Sequence, residues 1–239
     1  MDGKRKTGKD VAPFPANGAV EIEVDTPVRE ETQANRIVKE LGITRSNTFE
    51  LVGSKGRRLR VSGFTPTKLL AALEQSLGSI TEEVLYGDER GFQGALLHEL
   101  QVRLGRGVSP EDPIIQQEYQ KRMRHHGIKI RPDIIVHVPF ERGTVEGRDK
   151  GNFVAIELKR RATAKAARQA LASLAQIKEA LKYPLTVLIN VDSAETHARL
   201  CPASIADQTV CFAVRLQAGV PVVKAERYSE KAKTRVASE

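Results

Sequence analysis

The stretch FVAIELKRRATAKAARQALASLAQIKEALKYPLTVLINV, residues 153–191, predicts the centre of the fold. It opens with an apolar strand, continues with a helical pattern from about Thr163 to Lys182, and closes with the apolar run 185–191. A run that is almost continuously apolar is typical of a strand buried on both faces. A strand, a helix and a second strand joined in this way form a right-handed crossover. The stretch therefore predicts a sheet that contains a parallel strand pair.

Further elements flank this unit on both sides. Helical patterns run from Thr65 to about Leu77 and from about Arg90 to Leu104, and Pro66 suits the first turn of the first helix. Additional strands are predicted at 114–119, 129–139, 210–216 and 220–224. The sequence thus predicts an α/β (α+β) fold with a mixed central sheet flanked by helices. It contains no glycine-rich phosphate loop of the mononucleotide-binding kind.

The chain divides into four predicted parts. Residues 1–20 indicate a disordered basic arm, and residues 226–239 indicate a flexible charged tail. Residues 21–64 indicate a small accessory segment, a helix at 27–43 followed by a hairpin whose strands, 48–53 and 57–63, enclose a turn at 54–56. The core domain is predicted to cover residues 65–225.

Composition limits the class of partner. The 239 residues carry 38 Lys and Arg against 30 Asp and Glu, and the net charge of +8 favours a polyanionic partner.

Cys201 and Cys211 are too few for a disulfide framework and lack paired zinc-ligand spacing, so both are expected to be reduced thiols. No apolar run reaches the roughly 18 residues of a membrane helix. No secretory signal is recognisable at the N-terminus. These features predict a cytoplasmic protein without a membrane partner.

Two acids and a lysine stand where a site for phosphodiester chemistry could form. Glu157 and Lys159 alternate with apolar residues along one strand and therefore share a face, and Asp133 begins or precedes the neighbouring strand. Carboxylates are hard oxygen ligands for Mg²⁺ or Mn²⁺, and the main-chain carbonyl of Leu158 offers one more. A bound metal activates water and offsets phosphate charge, and a lysine beside it can position the water.

These residues resemble the PD-(D/E)xK nuclease superfamily, which has the restriction-endonuclease-like fold. Pro132-Asp133 is similar to the PD element and Glu157-Leu158-Lys159 to the (D/E)xK element. The resemblance implies an acid on the first core helix, for which Glu99 is the candidate, as a ligand of the metal or of its water. It also implies a glutamine on the helix after the lysine, which would orient Lys159 or the substrate. Gln176 is the candidate here, with Gln169 as the alternative.

The helix ligand has a second candidate. Gly94-Ala-Leu-Leu-His98 is similar to the Gly-x-x-x-His element of RecB-type members, in which the histidine binds metal. Neighbouring helical residues point about 100° apart, so His98 and Glu99 cannot both face one site. Glu99 is favoured because its surroundings look more like the restriction-like branch.

Two basic segments flank the proposed ligands and predict contacts to a phosphate backbone. Neither segment contains an acid, and their cations are Lys121, Arg122, Arg124, Lys129 and Arg131 in the first and Arg160, Arg161, Lys165 and Arg168 in the second, beside Lys159. Arg57, Arg58 and Arg60 of the predicted hairpin extend this surface.

The combination predicts a Mg²⁺-dependent deoxyribonuclease of endonuclease type, with Mn²⁺ as an alternative metal. Taken singly, each acid also fits an ordinary surface position, and the prediction depends on their joint occurrence in this order. One alternative is a DNA-binding or assembly module of the same fold that does not cleave. Another is a basic structural protein, which leaves a charged pair on an apolar strand unexplained. Two sites cutting two strands would suit a homodimer.

Overall fold

The computed structural model of the protein describes residues 65–105, 113–117, 129–139 and 150–228, together with the backbone of 50–52 and 58–60. The short strands β1 (Glu50–Val52) and β2 (Arg58–Arg60) pair antiparallel, which confirms the predicted hairpin. The predicted arm 1–20, helix 27–43 and most of the tail lie outside the described residues. The predicted domain boundaries therefore stay predictions.

Six further strands form one mixed sheet. They are β3 (Ile114–Gln117), β4 (Ile134–His137), β5 (Asn152–Arg160), β6 (Leu185–Val191), β7 (Thr209–Gln217) and β8 (Val220–Glu226). They lie side by side in chain order. The central strands β5, β6 and β7 are parallel, whereas the remaining pairs are antiparallel. The carboxyl ends of β5, β6 and β7 consequently meet at one edge of the sheet, which we call the carboxyl edge.

The three longer helices of the described residues begin at a side-chain cap. The described helices are α1 (Pro66–Ser79), α2 (Glu83–Tyr86), α3 (Glu89–Leu104) and α4 (Ala164–Leu181). The Thr65 hydroxyl accepts a hydrogen bond from the Lys68 amide at 3.1 Å, and Thr163 caps α4 through the Ala166 amide at 3.3 Å. Gly105 ends α3 with a φ of +79°, a conformation that favours glycine. No described helix is long and apolar enough to cross a membrane.

Two apolar layers enclose the sheet. One face of the sheet packs against α1 and α3, with fully buried residues such as Leu73, Leu96 and Ile156 in this layer. The other face packs against α4 and two 3₁₀ turns, 198–200 and 203–208, around residues such as Ala155 and Leu174. The predicted mixed sheet flanked by helices is therefore confirmed.

The structure differs from the sequence predictions mainly at element ends. Helix α3 starts at Glu89 rather than Arg90, because Asp88 caps it through the amides of Arg90 and Gly91. The strand predicted at 129–139 is regular only at 134–137, so Asp133 directly precedes it. Helix α2 and the two 3₁₀ turns were not predicted, because one or two turns carry too little periodicity.

Candidate active site

Strand β5 carries one carboxylate and one ammonium group near the carboxyl edge. Ile156 and Leu158 are fully buried in the layer with α1 and α3. Glu157 and Lys159 alternate with them along the strand, and their side chains are 12% and 29% exposed. The Lys159 ammonium nitrogen lies 3.0 Å from Glu157 Oε1. A charged pair thus stands near the end of a strand whose middle is apolar.

The register of the sheet brings Asp133 to this pair. β4 runs antiparallel to β5 and pairs Ile134 with Ile156, so the preceding Asp133 stands beside Glu157. Asp133 Oδ2 accepts a hydrogen bond from the Leu158 amide at 2.7 Å and lies 4.0 Å from Lys159 Nζ. The structure therefore brings together the three residues that the sequence placed on neighbouring strands.

A third carboxylate comes from Glu89, the first residue of α3. Its Oε1 lies 3.6 Å from Lys159 Nζ, and its Oε2 accepts a hydrogen bond from the Arg160 amide at 2.9 Å. We call Glu89, Asp133, Glu157 and Lys159 the carboxylate cluster. The ammonium group of Lys159 also donates to the Leu158 carbonyl at 2.6 Å, so this predicted metal-ligand oxygen is occupied by the lysine here.

β4 is shorter than its partner β5, and this difference explains how Asp133 and Glu89 are held in position. The amides of Leu158 and Arg160 point to the side of β5 on which β4 lies, but both are beyond the first residue of that strand. Buried amides need acceptors, and the side chains of Asp133 and Glu89 supply them. Each carboxylate is held by a main-chain hydrogen bond at the place where a longer strand would have paired.

Glu89, and not the predicted Glu99, is the α3 glutamate that lies in the carboxylate cluster. Glu99 instead pairs with Arg103 at 3.1 Å. Ten residues separate the two glutamates, which is about 15 Å along a helix axis, so Glu99 does not join the cluster. The predicted helix begins at about Arg90, so Glu89 lies just outside it. The signal that could have identified it is the capping Asp88 immediately before it.

The other helical candidates also lie apart from the cluster. His98 is exposed on α3. Gln176 is in the second half of α4, where it lines a groove with Tyr183, Pro184 and Gln208. Tyr183 and Pro184 precede β6, and Gln208 precedes β7. Gln176 therefore lies at the amino ends of these strands, opposite the carboxyl edge where the cluster is. Gln169 is exposed on α4.

Burial and charge shift the ionisation of Glu157 and Lys159. Burial, followed by the charge of Asp133, raises the pKa of Glu157 to about 7, although Lys159 acts in the opposite direction. Burial lowers the pKa of Lys159, but the carboxylates around it, Glu157 first, outweigh this and hold the pKa above its ordinary value. Glu157 Oε2 is buried and finds no hydrogen-bond partner within the described part of the chain.

Several predicted DNA-contacting cations are engaged within the protein. Arg160 donates to the Tyr86 carbonyl at 2.8 Å and lies 3.5 Å from Asp192. Arg161 binds the same carboxylate at 2.7 Å, although its side chain is 65% exposed. The remaining described cations, Lys129, Arg131, Lys165 and Arg168, are exposed, and Lys121, Arg122 and Arg124 lie outside the described residues.

Asn190 supports the connection between β5 and α4 and was not predicted. It is fully buried and lies beside Lys159 in the register of β6 with β5. Its Oδ1 accepts from the Ala162 amide at 2.9 Å, and its Nδ2 donates to the Glu195 carbonyl at 2.7 Å. His197 Nε2 contacts the Ala162 carbonyl at 2.8 Å from the same loop. These contacts fix the start of α4 relative to the cluster.

The carboxylate oxygens of the cluster are atoms of the type that a hard divalent cation binds. The cluster joins three carboxylates to one ammonium, and the buried Glu157 Oε2 has an unused lone pair. Among the described residues, no three side chains of His, Cys, Asp or Glu are already arranged to hold a metal. The Lys159 ammonium lies among the carboxylate oxygens that would hold such a cation.

Comparisons of the chain with protein-family models, with curated proteins and with solved structures found no significant match.

Proposed function

We propose that the protein is a metal-dependent deoxyribonuclease of the PD-(D/E)xK type, an endonuclease that hydrolyses DNA phosphodiester bonds. One observation carries the proposal: Lys159 Nζ lies within 4.0 Å of carboxylate oxygens from three separate elements at the carboxyl edge. Charged groups are costly to bury, so a structural role alone gives little reason to collect four of them there.

The fold supports the same proposal. A mixed sheet with helices on both faces is compatible with a restriction-endonuclease-like core. Asp133 stands at the start of β4, and Glu157 and Lys159 stand on the adjacent β5, as the resemblance implies. The departure is the helix acid, which Glu89 supplies from the first turn of α3.

Asp133 and Glu157 would hold the metal, Mg²⁺ or Mn²⁺, and Glu89 would hold it or its water. When bound, the metal supplies a water of lowered pKa and neutralises charge on the phosphate. The Leu158 carbonyl becomes a further ligand only if Lys159 releases it.

Lys159 acts as a cation in this proposal. Its pKa is held above the ordinary value by the carboxylates, so it stays protonated at neutral pH. A protonated lysine can orient the attacking water by donating to it and can stabilise negative charge that develops on the phosphate. It cannot remove a proton from that water.

DNA would approach across the carboxyl edge. Lys165 and Arg168 are exposed on the first two turns of α4, directly after the cluster strand, and Lys129 and Arg131 are exposed just before Asp133. Cations on both sides of a carboxylate cluster can bind the phosphates that flank the cleaved bond. The net charge of +8 adds a general attraction for a polyanion.

A plasmid-nicking assay with Mg²⁺, Mn²⁺ and EDTA tests the proposal. Wild type is expected to nick supercoiled DNA only with metal, and Lys159→Ala should reduce the rate by at least about 100-fold. Lys182→Ala, which removes an exposed lysine at the opposite sheet edge, is the matched control and should behave as wild type. Equal cleavage by Lys159→Ala and wild type would contradict the proposal.

A non-cleaving DNA-binding or assembly module is the second candidate. It is favoured by the position of Lys159, which already neutralises part of the cluster without a metal. This alternative predicts salt-sensitive DNA binding that EDTA does not change. Metal-dependent nicking that is lost with Lys159→Ala would exclude it.

A further inference from the structure

Gln93 is a buried amide in the apolar face of α3. Gln93 is 2% exposed, and its neighbours Phe92 and Leu96 are fully buried in the layer between α3 and the sheet. A buried amide is unfavourable unless it forms hydrogen bonds. A leucine or methionine would fill the same space in this layer, so the amide needs a partner that justifies it.

That partner is the main chain of Asp133. Gln93 Nε2 donates to the Asp133 carbonyl at 2.7 Å. The carboxylate of the same residue accepts from the Leu158 amide at 2.7 Å. Asp133 is therefore held at both its main chain and its side chain, immediately before β4 begins.

Glu89 extends this arrangement to the neighbouring strand. Residues four apart on a helix lie on the same side, and Glu89 is four residues before Gln93. Glu89 accepts from the Arg160 amide of β5, whereas Gln93 donates to the carbonyl at the start of β4. One turn of α3 thus contacts the backbone of both strands that carry the cluster.

We infer that Gln93 is a positioning residue, which holds Asp133 beside Glu157 so that both carboxylates can take part in binding a metal. The inference rests on the proposed nuclease function and adds to it a residue that touches neither metal nor DNA. Gln93 acts through Asp133: without its donor, the Asp133 carbonyl loses this hydrogen bond, and the loop before β4 can shift.

The test is Gln93→Met, which keeps a similar volume and removes the donor. Mn²⁺ binding is measured by titration calorimetry on the protein without DNA, and nicking kinetics are measured separately. The variant is expected to bind Mn²⁺ about 10-fold more weakly. This is the lower end of the loss in metal affinity that is typical when a group that orients a metal ligand is removed. Its kcat should fall while KM for DNA stays unchanged, because the DNA-facing cations are intact.

Ser76→Ala is the matched control. Ser76 is fully buried in α1 in the same layer, and its hydroxyl has no hydrogen-bond partner within the described part of the chain. It should bind Mn²⁺ as wild type does. If Gln93→Met does not fold, Gln93→Asn takes its place, since it keeps a polar amide but withdraws the donor by one methylene, and the same loss is expected.

A double variant separates positioning from general loosening. Asp133→Asn keeps the carbonyl but removes the ligand charge. If Gln93 works through Asp133, the Mn²⁺ affinity of the double variant should equal that of Asp133→Asn alone, since coupled residues are not additive. Additive losses would overturn the inference.

The outcomes distinguish this inference from the proposed function. A wild type that binds Mn²⁺ and nicks DNA, with a Gln93→Met variant of equal affinity and kcat, overturns the positioning role alone. A wild type that neither binds Mn²⁺ nor nicks DNA overturns both.

Discussion

Glu89 at the start of α3 accepts a hydrogen bond at 2.9 Å from the main-chain amide of Arg160 near the end of β5. The residues are distant in the chain, and the contact joins the helix layer to the strand that carries Glu157 and Lys159. The second carboxylate oxygen of Glu89 remains directed to the Lys159 ammonium, 3.6 Å away. The Glu89 side chain therefore accepts a hydrogen bond from a β5 amide that lies beyond the start of β4. It also adds a negative charge to the carboxylate cluster.

The two glutamates of α3 should differ sharply in their effect on cleavage. Glu89→Gln should lower metal-dependent nicking by about 10-fold or more, because it removes a negative charge beside the metal-binding acids. Glu99→Gln alters only a surface pair with Arg103 and should leave the rate unchanged. The measurement is the Mg²⁺ dependence of plasmid nicking. A larger effect at Glu99 would restore the original sequence prediction.

Glu157→Gln should stabilise the metal-free protein in alkaline solution. The pKa of Glu157 in the folded protein is about 7, against an ordinary 4.5. Because the folded state holds this proton more tightly, stability falls as the pH rises from about 4.5 to 7, and the loss is complete above the folded-state pKa. In EDTA at pH 8.5 the variant should melt roughly 5 °C higher than wild type.

The same difference should nearly vanish at pH 5, where Glu157 is mostly protonated. Glu99→Gln serves as the control, with no pH-dependent difference in melting temperature expected. A wild type that is as stable as Glu157→Gln at pH 8.5 would show that the ionised carboxylate carries no such cost.

Lys165 and Arg168 should contribute to DNA binding without affecting metal binding. Replacing both with alanine should reduce the slope of log affinity against log salt by about 2, if each contacts one phosphate. Fluorescence anisotropy in EDTA measures binding without cleavage. The control is Lys178→Ala with Lys182→Ala, a pair on and just after the other end of α4, which should keep the wild-type slope. An unchanged slope for Lys165 and Arg168 would place DNA elsewhere.

Asn190→Ala should destabilise the fold by about 2 kcal/mol, since it removes a buried group with two main-chain hydrogen bonds. The lost partners are the Ala162 amide and the Glu195 carbonyl. Urea unfolding followed by circular dichroism measures the change. Ser193→Ala, which removes a single exposed acceptor for the Glu195 amide, should change stability by less than about 0.5 kcal/mol. Similar values for the two variants would contradict the structural role of Asn190.

The amino-acid sequence by itself determined the longer helices, most of the strands and the two neighbouring segments that carry the candidate site. The run Leu185–Val191 is a strand with the predicted bounds, and Thr65 caps a helix as expected. Periodicity and capping are local properties, so they can be read without knowing the partner of each face. The alternation of β5 likewise places Glu157 and Lys159 on one face, whatever tertiary contacts the strand makes.

Only the tertiary structure decided which distant residues complete that site. Glu89 and Glu99 are both glutamates on α3, and the packing of the helix against the sheet selects the first. Gln93 meets Asp133, and Arg160 and Arg161 meet Asp192, for the same reason. These pairings depend on the depth and angle at which a helix or loop meets the sheet. That placement results from the packing of the whole core, which no local pattern in the chain encodes.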